Sequence, residues 1–404
     1  DDIAGSNPLV GATGLSYGGG YQMILNAVDP RRRLDAIVPQ ITWNDLTFSL
    51  SPGEAIKSGW VLPLFGVGNT AGDGNNFDPF VIDTLTSGVT NNRISQEGRD
   101  FFRYHGQGYF CGDQSVATNG GAGTSPNLPP SFPGEINALF FQGFRDTLFN
   151  FNDSFANFDC LRQAGGDVRL LTYQSGHNTL QVVPDPGAIA FQPTDNPLVS
   201  TCGDIGVSEA TIAFFNEHLK GQVGAADAVL SRGVCLSLSG TDAVTVDEVT
   251  VGRAGTEFAL PDTTVIAGVN NTVAPISAAI GFTAGANGDI LGGIPRIEVT
   301  VTDTLNTGQE PIIFVGVGHM RASAPGAWDL VDNQILPLRG TGTHNVNLVG
   351  VAERLAPGDQ LALVYYGDHT QYLGTGSINA ASPAVLSVSV SGRVWLPILG
   401  PDAG

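Results

Sequence analysis

The strongest constraint on the fold of this 404-residue chain is a change in its hydrophobic pattern near Gly221. Before this point, apolar runs of strand length alternate with amphipathic segments of helical period, which predicts a parallel sheet covered by helices. The predicted strands are NPLVGATG, RLDAIVPQI, INALFFQGF and DVRLLTYQ, and the predicted helices are GGYQMILNAV, NFNDSFANFDCLRQAGG and SEATIAFFNEHLKG. Residues 1–222 are therefore predicted to form an α/β domain.

Beyond Gly221 the helical period disappears. Apolar and polar residues then alternate in short runs separated by Gly, Asn, Asp and Pro, among them GVCLSLSG, AVTVDEVTVG, RIEVTVTDT, PIIFVGVGH and QLALVYYG. This spacing is typical of an all-β sandwich or jelly roll. The sequence thus predicts a second domain over residues 223–404.

A third stretch, from about residue 44 to residue 134, interrupts the first pattern. It is irregular and rich in Gly, Asn, Phe and Pro, with helical signals in PFVIDTLTSGVT and SQEGRDFFRYHG. We expect an insertion into the α/β domain rather than a continuation of its regular alternation.

Charge and hydropathy exclude some partners. The net charge is −20, and Lys57 and Lys220 are the only two lysines, so the surface repels nucleic-acid phosphates and anionic membranes. No apolar run reaches the roughly 18 residues that a membrane span needs. Nucleic acid and membrane partners are therefore not expected. The acidity fits a secreted, a salt-tolerant or simply a soluble protein, and the compartment stays open with secretion favoured.

The four cysteines show no C-x-x-C spacing, so a zinc site is not expected. The DGNNFD segment at 73–78 lacks the spaced acids and the final Glu of a calcium loop, so no metal is expected there either. Cys202 and Cys235 flank a predicted helix and would form a disulfide in an oxidising compartment. Separate buried thiols are the alternative, and the sequence does not decide between them.

One short motif carries chemistry. Residues 14–18 read Gly-Leu-Ser-Tyr-Gly, which matches G-x-S-x-G between a predicted strand and a predicted helix. In that context a sharp strand-to-helix turn exposes the serine hydroxyl, and the start of the helix directs backbone amides at a developing oxyanion. Ser16 is accordingly a candidate nucleophile. In a chain with 54 glycines, a purely structural turn is the alternative.

Two further residues follow predicted strands in the order that a Ser–acid–His site requires. Asp146 comes after NALFFQGF, and His177 comes after DVRLLTYQ. Carboxyl ends of neighbouring parallel strands lie side by side, so the acid would orient the imidazole and the imidazole would act as base on Ser16. Asp153 and Asp159 are local rivals for the acid, but both fall inside the following helix.

These segments together resemble a known family. GATGLSYGGG, LDAIVPQITWND, NALFFQGFRDTLFNFND, SGH and IAFFNEHLKG are similar to the X-prolyl dipeptidyl-peptidase and cocaine-esterase type (CocE/NonD) of serine hydrolase, and GIPRIEVTVT and VWLPIL to its C-terminal jelly roll. The resemblance implies an α/β hydrolase with a helical cap at the insertion. It also implies catalysis by Ser16, Asp146 and His177, with the backbone N–H of Tyr17 as an oxyanion donor.

The resemblance also implies a part that precedes this sequence. The family's early strands, and the loop carrying a second oxyanion donor, have no counterpart here, so we expect either a missing amino-terminal segment or a second polypeptide, including another copy of the chain. Loss of one oxyanion donor typically lowers the rate by about 10²–10³. The exposed sheet edge would favour association.

The leading functional hypothesis is a serine hydrolase that needs no cofactor and cleaves a small acyl ester through an acyl-enzyme. Release of X-Pro dipeptides from peptide amino termini is the alternative substrate class, and a non-catalytic β-sandwich binding protein with a remnant hydrolase domain is the alternative of another kind. Trp43, just beyond the AIVPQ strand, would either line an acyl pocket or pack in the core.

Overall fold

The computed structural model describes residues 8–70, 76–112, 133–177, 199–239, 241–269, 271, 274–372, 376–377 and 385–401. In these ranges the α-helices all precede Gly221: α1 (Tyr17–Val28), α2 (Leu46–Leu50), α3 (Ser58–Thr70), α4 (Pro79–Asn91), α5 (Gln96–Tyr104), α6 (Gln107–Phe110), α7 (Phe151–Ala164) and α8 (Val207–Lys220). Within the same ranges, no helix is both long and apolar enough to cross a membrane.

The strands fall into two groups along the chain. The first comprises β1 (Gly11–Leu15), β2 (Ala36–Gln40), β3 (Asn137–Gly143), β4 (Val168–Tyr173), β5 (Thr201–Cys202), β6 (Ile205–Gly206), β7 (Val234–Ser239) and β8 (Asp242–Val246). The second comprises β9 (Thr250–Val251), β10 (Thr256–Ala267), β11 (Ile276–Thr283), β12 (Asp289–Ile294), β13 (Arg296–Asp303), β14 (Pro311–Met320), β15 (Asp329–Leu330), β16 (Leu336–Arg339), β17 (Gly342–Asn347), β18 (Val351–Leu355), β19 (Gln360–Tyr366), β20 (Gly376–Ser377), β21 (Leu386–Leu396) and β22 (Ile398–Leu399).

The first large sheet has the order β1-β2-β3-β4-β7-β8. Its first five strands run parallel, and β8 returns antiparallel to β7. All residues of β2 are buried, because α1 and α7 cover one face of the sheet and α8 covers the other. Burial on both faces explains why β2 and β3 are continuous apolar runs rather than alternating ones.

The structure corrects the predicted boundary between residues 222 and 223. Strand β7, within the GVCLSLSG segment assigned to the second domain, pairs parallel with β4 through Leu171 and Cys235, and β8 extends the same sheet. The loss of helical signal after Lys220 marks the last helix, but one parallel strand and a hairpin partner still follow it. An alternating strand reads the same in either kind of sheet, so the sequence pattern placed it wrongly.

In the described residues, β5 and β6 form a two-stranded antiparallel sheet, and the strands of the second group form three mainly antiparallel sheets. Their orders are β10-β21-β13-β17, β11-β19-β14-β15 with β16 and β20 also on β14, and β18-β12-β22 with β9 on β12. The inward side chains of β13 and β14, such as Val299 and Val315, belong to one apolar core. This is the all-β part that the sequence predicts. Its description as a jelly roll in particular stays a prediction.

The described part of the predicted insertion contains five α-helices, α2 to α6, and α4 and α5 coincide with the two helical segments predicted there. The β part contacts this cap directly. Arg339 donates from Nη1 to the carbonyl oxygens of Glu54 and Asn92, at 2.6 Å each, and Arg93 pairs with Glu310 at 2.8 Å. The cap is therefore held between the α/β sheet and the β part.

Candidate active site

Ser16 lies at the turn between β1 and α1. Its φ is 56°, in a left-handed region that a non-glycine residue adopts only when the surrounding structure enforces it. Here the Ser16 N–H donates to the Gln40 carbonyl on β2, and its carbonyl accepts from the N–H groups of Gly19 and Gly20. A Cβ on Gly14 would lie 3.1 Å from the Gly18 backbone, a tight contact that a larger residue could make only if the turn shifted by a few tenths of an ångström.

A continuous chain of hydrogen bonds joins the three predicted residues. His177 Nε2 lies 2.7 Å from Ser16 Oγ, and His177 Nδ1 lies 2.5 Å from Asp146 Oδ2. With the Nδ1 proton donated to the carboxylate, Nε2 is the acceptor and the Ser16 hydroxyl donates to it. This arrangement can remove the hydroxyl proton while the serine attacks an electrophile.

Neighbouring strands bring Asp146 and His177 together. Strands β3 and β4 are parallel neighbours, so the loops after Gly143 and Tyr173 meet at one edge of the sheet. The loops approach closely at Gly176, where a Cβ would lie 2.3 Å from the Asp146 Cα. The strand-end argument from the sequence therefore describes this local geometry.

The Asp146 carboxylate is fully buried and receives several donors. Oδ1 accepts from the N–H groups of Leu148 and Phe149, at 2.9 Å each, and Oδ2 accepts from the N–H of His177 at 3.2 Å as well as from its ring. Donors to both oxygens fix the orientation of the carboxylate plane.

The two rival aspartates have other contacts. Asp153 is buried on α7, where it accepts from the N–H groups of Asn44 and Asp45 and from the Ser49 hydroxyl, and it thereby ties the start of the cap to the helix. Burial raises its pKa to about 7. Asp159 is partly exposed and pairs with Arg162 at 3.2 Å. Both carry structural contacts rather than a contact to His177.

Aromatic rings surround the imidazole. The ring centroids of Phe149 and Trp60 lie 5.2 Å and 6.0 Å from that of His177, both edge-on. Trp43 packs against Phe149, with 5.3 Å between the ring centroids, and its indole N–H donates to the His105 carbonyl. Its buried position fits the core-packing alternative, and a role as a pocket-lining residue stays a prediction.

Sequence reasoning missed the residues that hold the loop carrying Asp146. From the cap, Lys57 Nζ donates to the Thr147 carbonyl at 2.8 Å, and the Trp60 indole N–H donates to Thr147 Oγ1 at 3.0 Å. From the β part, Gln334 Nε2 donates to the carbonyls of Phe144 and Asp146, at 2.6 Å and 3.0 Å. The lysine within the apolar AIKSGW segment could have indicated the contact of Lys57, whereas no sequence pattern indicates the contact of Gln334.

The tip of α1 supplies an amide beside Ser16. Tyr17 is the first residue of α1, and the first four N–H groups of a helix have no acceptor within the helix. The side chain of Tyr17 is 78% exposed. Its backbone N–H, next in the chain to Ser16, is the oxyanion donor that the family resemblance implies, and this role stays a prediction.

All four cysteines are paired. A disulfide joins Cys202 on β5 to Cys235 on β7, with 6.3 Å between the Cα atoms, and another joins Cys111 at the end of the cap to Cys160 on α7. The first is one of the two alternatives that the sequence left open, and the second was not anticipated. Among the described residues, no group of three or more His, Cys, Asp or Glu side chains is placed to hold a metal ion.

Comparisons with known proteins bear on the fold. No family model and no curated protein matches the chain. A CocE/NonD family hydrolase from Staphylococcus aureus is similar in structure at 11% identity, with a TM-score of 0.62 over 98% of this chain and 74% of that one. An aminopeptidase from the marine sediment archaeon Thaumarchaeota archaeon is similar at 13% identity, with a TM-score of 0.61 over 99% of this chain and 78% of that one. The chain thus has the fold of these proteins.

Proposed function

We propose that the protein is a serine hydrolase that cleaves small acyl esters through an acyl-enzyme. The observation that carries this proposal is the hydrogen-bond chain from Ser16 through His177 to the buried Asp146. The strained turn at Ser16 and the hydrolase-like fold support it. A structural turn alone gives no reason for a serine at φ 56° to meet an imidazole at 2.7 Å.

The first half-reaction follows from this geometry. Ser16 Oγ attacks the carbonyl carbon of the ester, and its proton passes to His177 Nε2. The carbonyl π electrons move to oxygen, where the Tyr17 N–H stabilises the negative charge. Asp146 stabilises the imidazolium, which then protonates the leaving alkoxide as the carbon–oxygen bond breaks.

The second half-reaction repeats these roles with water. His177 takes a proton from a water molecule that attacks the acyl carbon, and the tetrahedral intermediate returns the electron pair to Ser16 Oγ. His177 gives that oxygen its proton, which releases the carboxylic acid and restores the starting state. The rings of Phe149 and Trp60 around the imidazole limit its access to bulk water.

The placement of the cap's acidic residues favours an ester over an X-Pro dipeptide. Binding a free peptide amino terminus requires an uncommitted carboxylate, but Asp45 caps α2 and pairs with Arg103. Glu54 pairs with Arg93 and Arg99, and Asp78 caps α4. Asp73 lies outside the described residues, and Asp83 is exposed on α4.

The test is a pair of chromogenic substrates and one active-site label. We expect the protein to hydrolyse a p-nitrophenyl acyl ester faster than Gly-Pro-p-nitroanilide and to be labelled by a fluorophosphonate probe. Ser16→Ala should abolish hydrolysis and labelling, while Ser231→Ala, on an exposed loop, should leave both unchanged. Preference for the anilide would favour the dipeptidyl-peptidase, and absence of labelling in the folded protein would favour a non-catalytic binding protein.

A further inference from the structure

Lys57 has an unusual place for a lysine. Its side chain is buried, with 4% of the residue exposed, just before the first residue of α3. Nζ lies 2.8 Å from the carbonyl oxygen of Thr147 and 3.4 Å from that of Leu148. A buried ammonium is costly to desolvate, so a lysine here needs a compensating interaction.

The two carbonyls belong to the peptide groups that hold Asp146. The peptide between Thr147 and Leu148 presents its oxygen to Lys57 and its N–H to Asp146 Oδ1. The peptide between Leu148 and Phe149 does the same, with a longer contact on the lysine side. Two polarisable amides therefore connect the ammonium to the carboxylate in parallel.

Hydrogen bonds that share a peptide group polarise one another in a low-dielectric interior. A positive charge at the carbonyl oxygens makes the N–H groups of Leu148 and Phe149 stronger donors to Asp146. The same contacts fix the orientation of both peptide planes, and with them the carboxylate that faces His177.

We propose that Lys57 is a positioning residue for the reaction, acting on Asp146 through these two peptide groups rather than through contact with substrate. This inference rests on the proposed function. It adds a requirement that the hydrolase mechanism does not contain: a charged residue of the cap contributes to the orientation and hydrogen bonding of the acid in the α/β domain.

The ionisation of Lys57 gives the proposal a pH signature. Burial lowers the pKa of Lys57 to about 8, against the attraction of the carboxylates of Asp153 and Asp146, which oppose the shift. Asp153 in turn feels the charge of Asp45, and Asp146 contacts the imidazole of His177. As pH rises through about 8, Lys57 loses its charge and its effect on Asp146 weakens, so kcat should fall on the alkaline side.

The experiment compares Lys57→Met with Lys220→Met, which removes the chain's other lysine from an exposed site at the end of α8. For Lys57→Met we expect kcat for a p-nitrophenyl ester to fall about 10- to 100-fold with KM nearly unchanged. The alkaline fall in kcat should disappear, and the far-downfield proton resonance of the His177–Asp146 hydrogen bond should shift. Lys220→Met should match the unmodified protein in all three.

Three results would overturn the proposal. One is an unchanged kcat in Lys57→Met, and another is a lower kcat that keeps the alkaline fall. The third is a kcat of the unmodified protein that stays level as pH rises through about 8. This measurement also tests the proposal if Lys57→Met does not fold. Failure of the proposed function is a separate result, seen either as no fluorophosphonate labelling of the folded unmodified protein or as hydrolysis and labelling that survive in Ser16→Ala.

Discussion

The two ends of the hydrogen-bond chain are supported in different ways. Ser16 follows β1, which within the described part of the chain pairs with β2 alone, and Leu15, Tyr17 and Tyr21 around it are largely exposed. Asp146 is fully buried, and the loop around it accepts hydrogen bonds from the cap and from the β part. A local backbone turn therefore orients the serine, whereas the acid depends on residues far away in the sequence.

The largest expected effect comes from breaking the chain at its buried end. In Asp146→Asn the amide cannot hold the His177 tautomer that accepts from Ser16, and we expect kcat to fall by about 10⁴. The matched control is Asp159→Asn on the partly exposed face of α7, which should retain the unmodified kcat. Ester hydrolysis measures both. A loss below about tenfold in Asp146→Asn would remove Asp146 from the mechanism.

A smaller effect should follow from removing the contact that the β part makes with the same loop. Gln334→Leu leaves the buried carbonyls of Phe144 and Asp146 without this donor, which should lower the free energy of unfolding by about 1–3 kcal/mol. Because the Asp146 loop is loosened, kcat should fall as well. Urea unfolding and ester hydrolysis measure the two effects.

The control for this variant is Gln360→Leu, which changes the same residue type at an exposed position at the start of β19. Surface substitutions of this kind usually change stability by less than about 0.5 kcal/mol. If Gln334→Leu behaves like Gln360→Leu in both measurements, the β part does not support the acid, and the contrast between the two ends of the chain is lost.

The sequence was informative where the determinants are local. The glycine motif, with a strand before it and a helix after it, predicts the turn at Ser16. The ends of neighbouring strands predict that Asp146 and His177 meet. The helices α4 and α5 were also anticipated from helical signals in their own segments, and in the structure Asp78 and Ser95 cap them through their side chains. Each of these features depends on a few consecutive residues or on one rule of sheet geometry.

The sequence was uninformative about side-chain contacts and disulfides that join segments far apart in the chain. Lys57 reaches Thr147 across 90 positions, and Gln334 reaches Phe144 across 190. The disulfide between Cys111 and Cys160 and the membership of β7 in the first sheet are of the same kind. No local pattern specifies such pairs, since they depend on how the cap and the β part pack against the sheet.

Two aspartates differ in the sign of their effect on stability as the pH changes. Burial raises the pKa of Asp153, on α7, to about 7. At pH values between the ordinary pKa of an aspartate and about 7, the folded state therefore keeps a proton that the unfolded chain releases. The stability that protonated Asp153 contributes at low pH is lost as pH rises through about 7. By contrast, hydrogen bonds from Arg33 lower the pKa of Asp29, at the end of the Ser16 helix, so its contribution is lost only as pH falls into the strongly acidic range.

Replacing each aspartate by asparagine tests this difference. Between about pH 5 and pH 7, Asp153 should lower the free energy of unfolding by up to about 1.4 kcal/mol per pH unit, and Asp153→Asn should remove that slope. Asp29→Asn should leave the slope in this interval unchanged, since Asp29 is ionised there in both the folded and the unfolded chain. Urea unfolding at a series of pH values measures both variants. An Asp153→Asn variant with the slope of the unmodified protein would mean that Asp153 is already ionised in the folded state, compensated by the N–H donors of Asn44 and Asp45 and by Lys57.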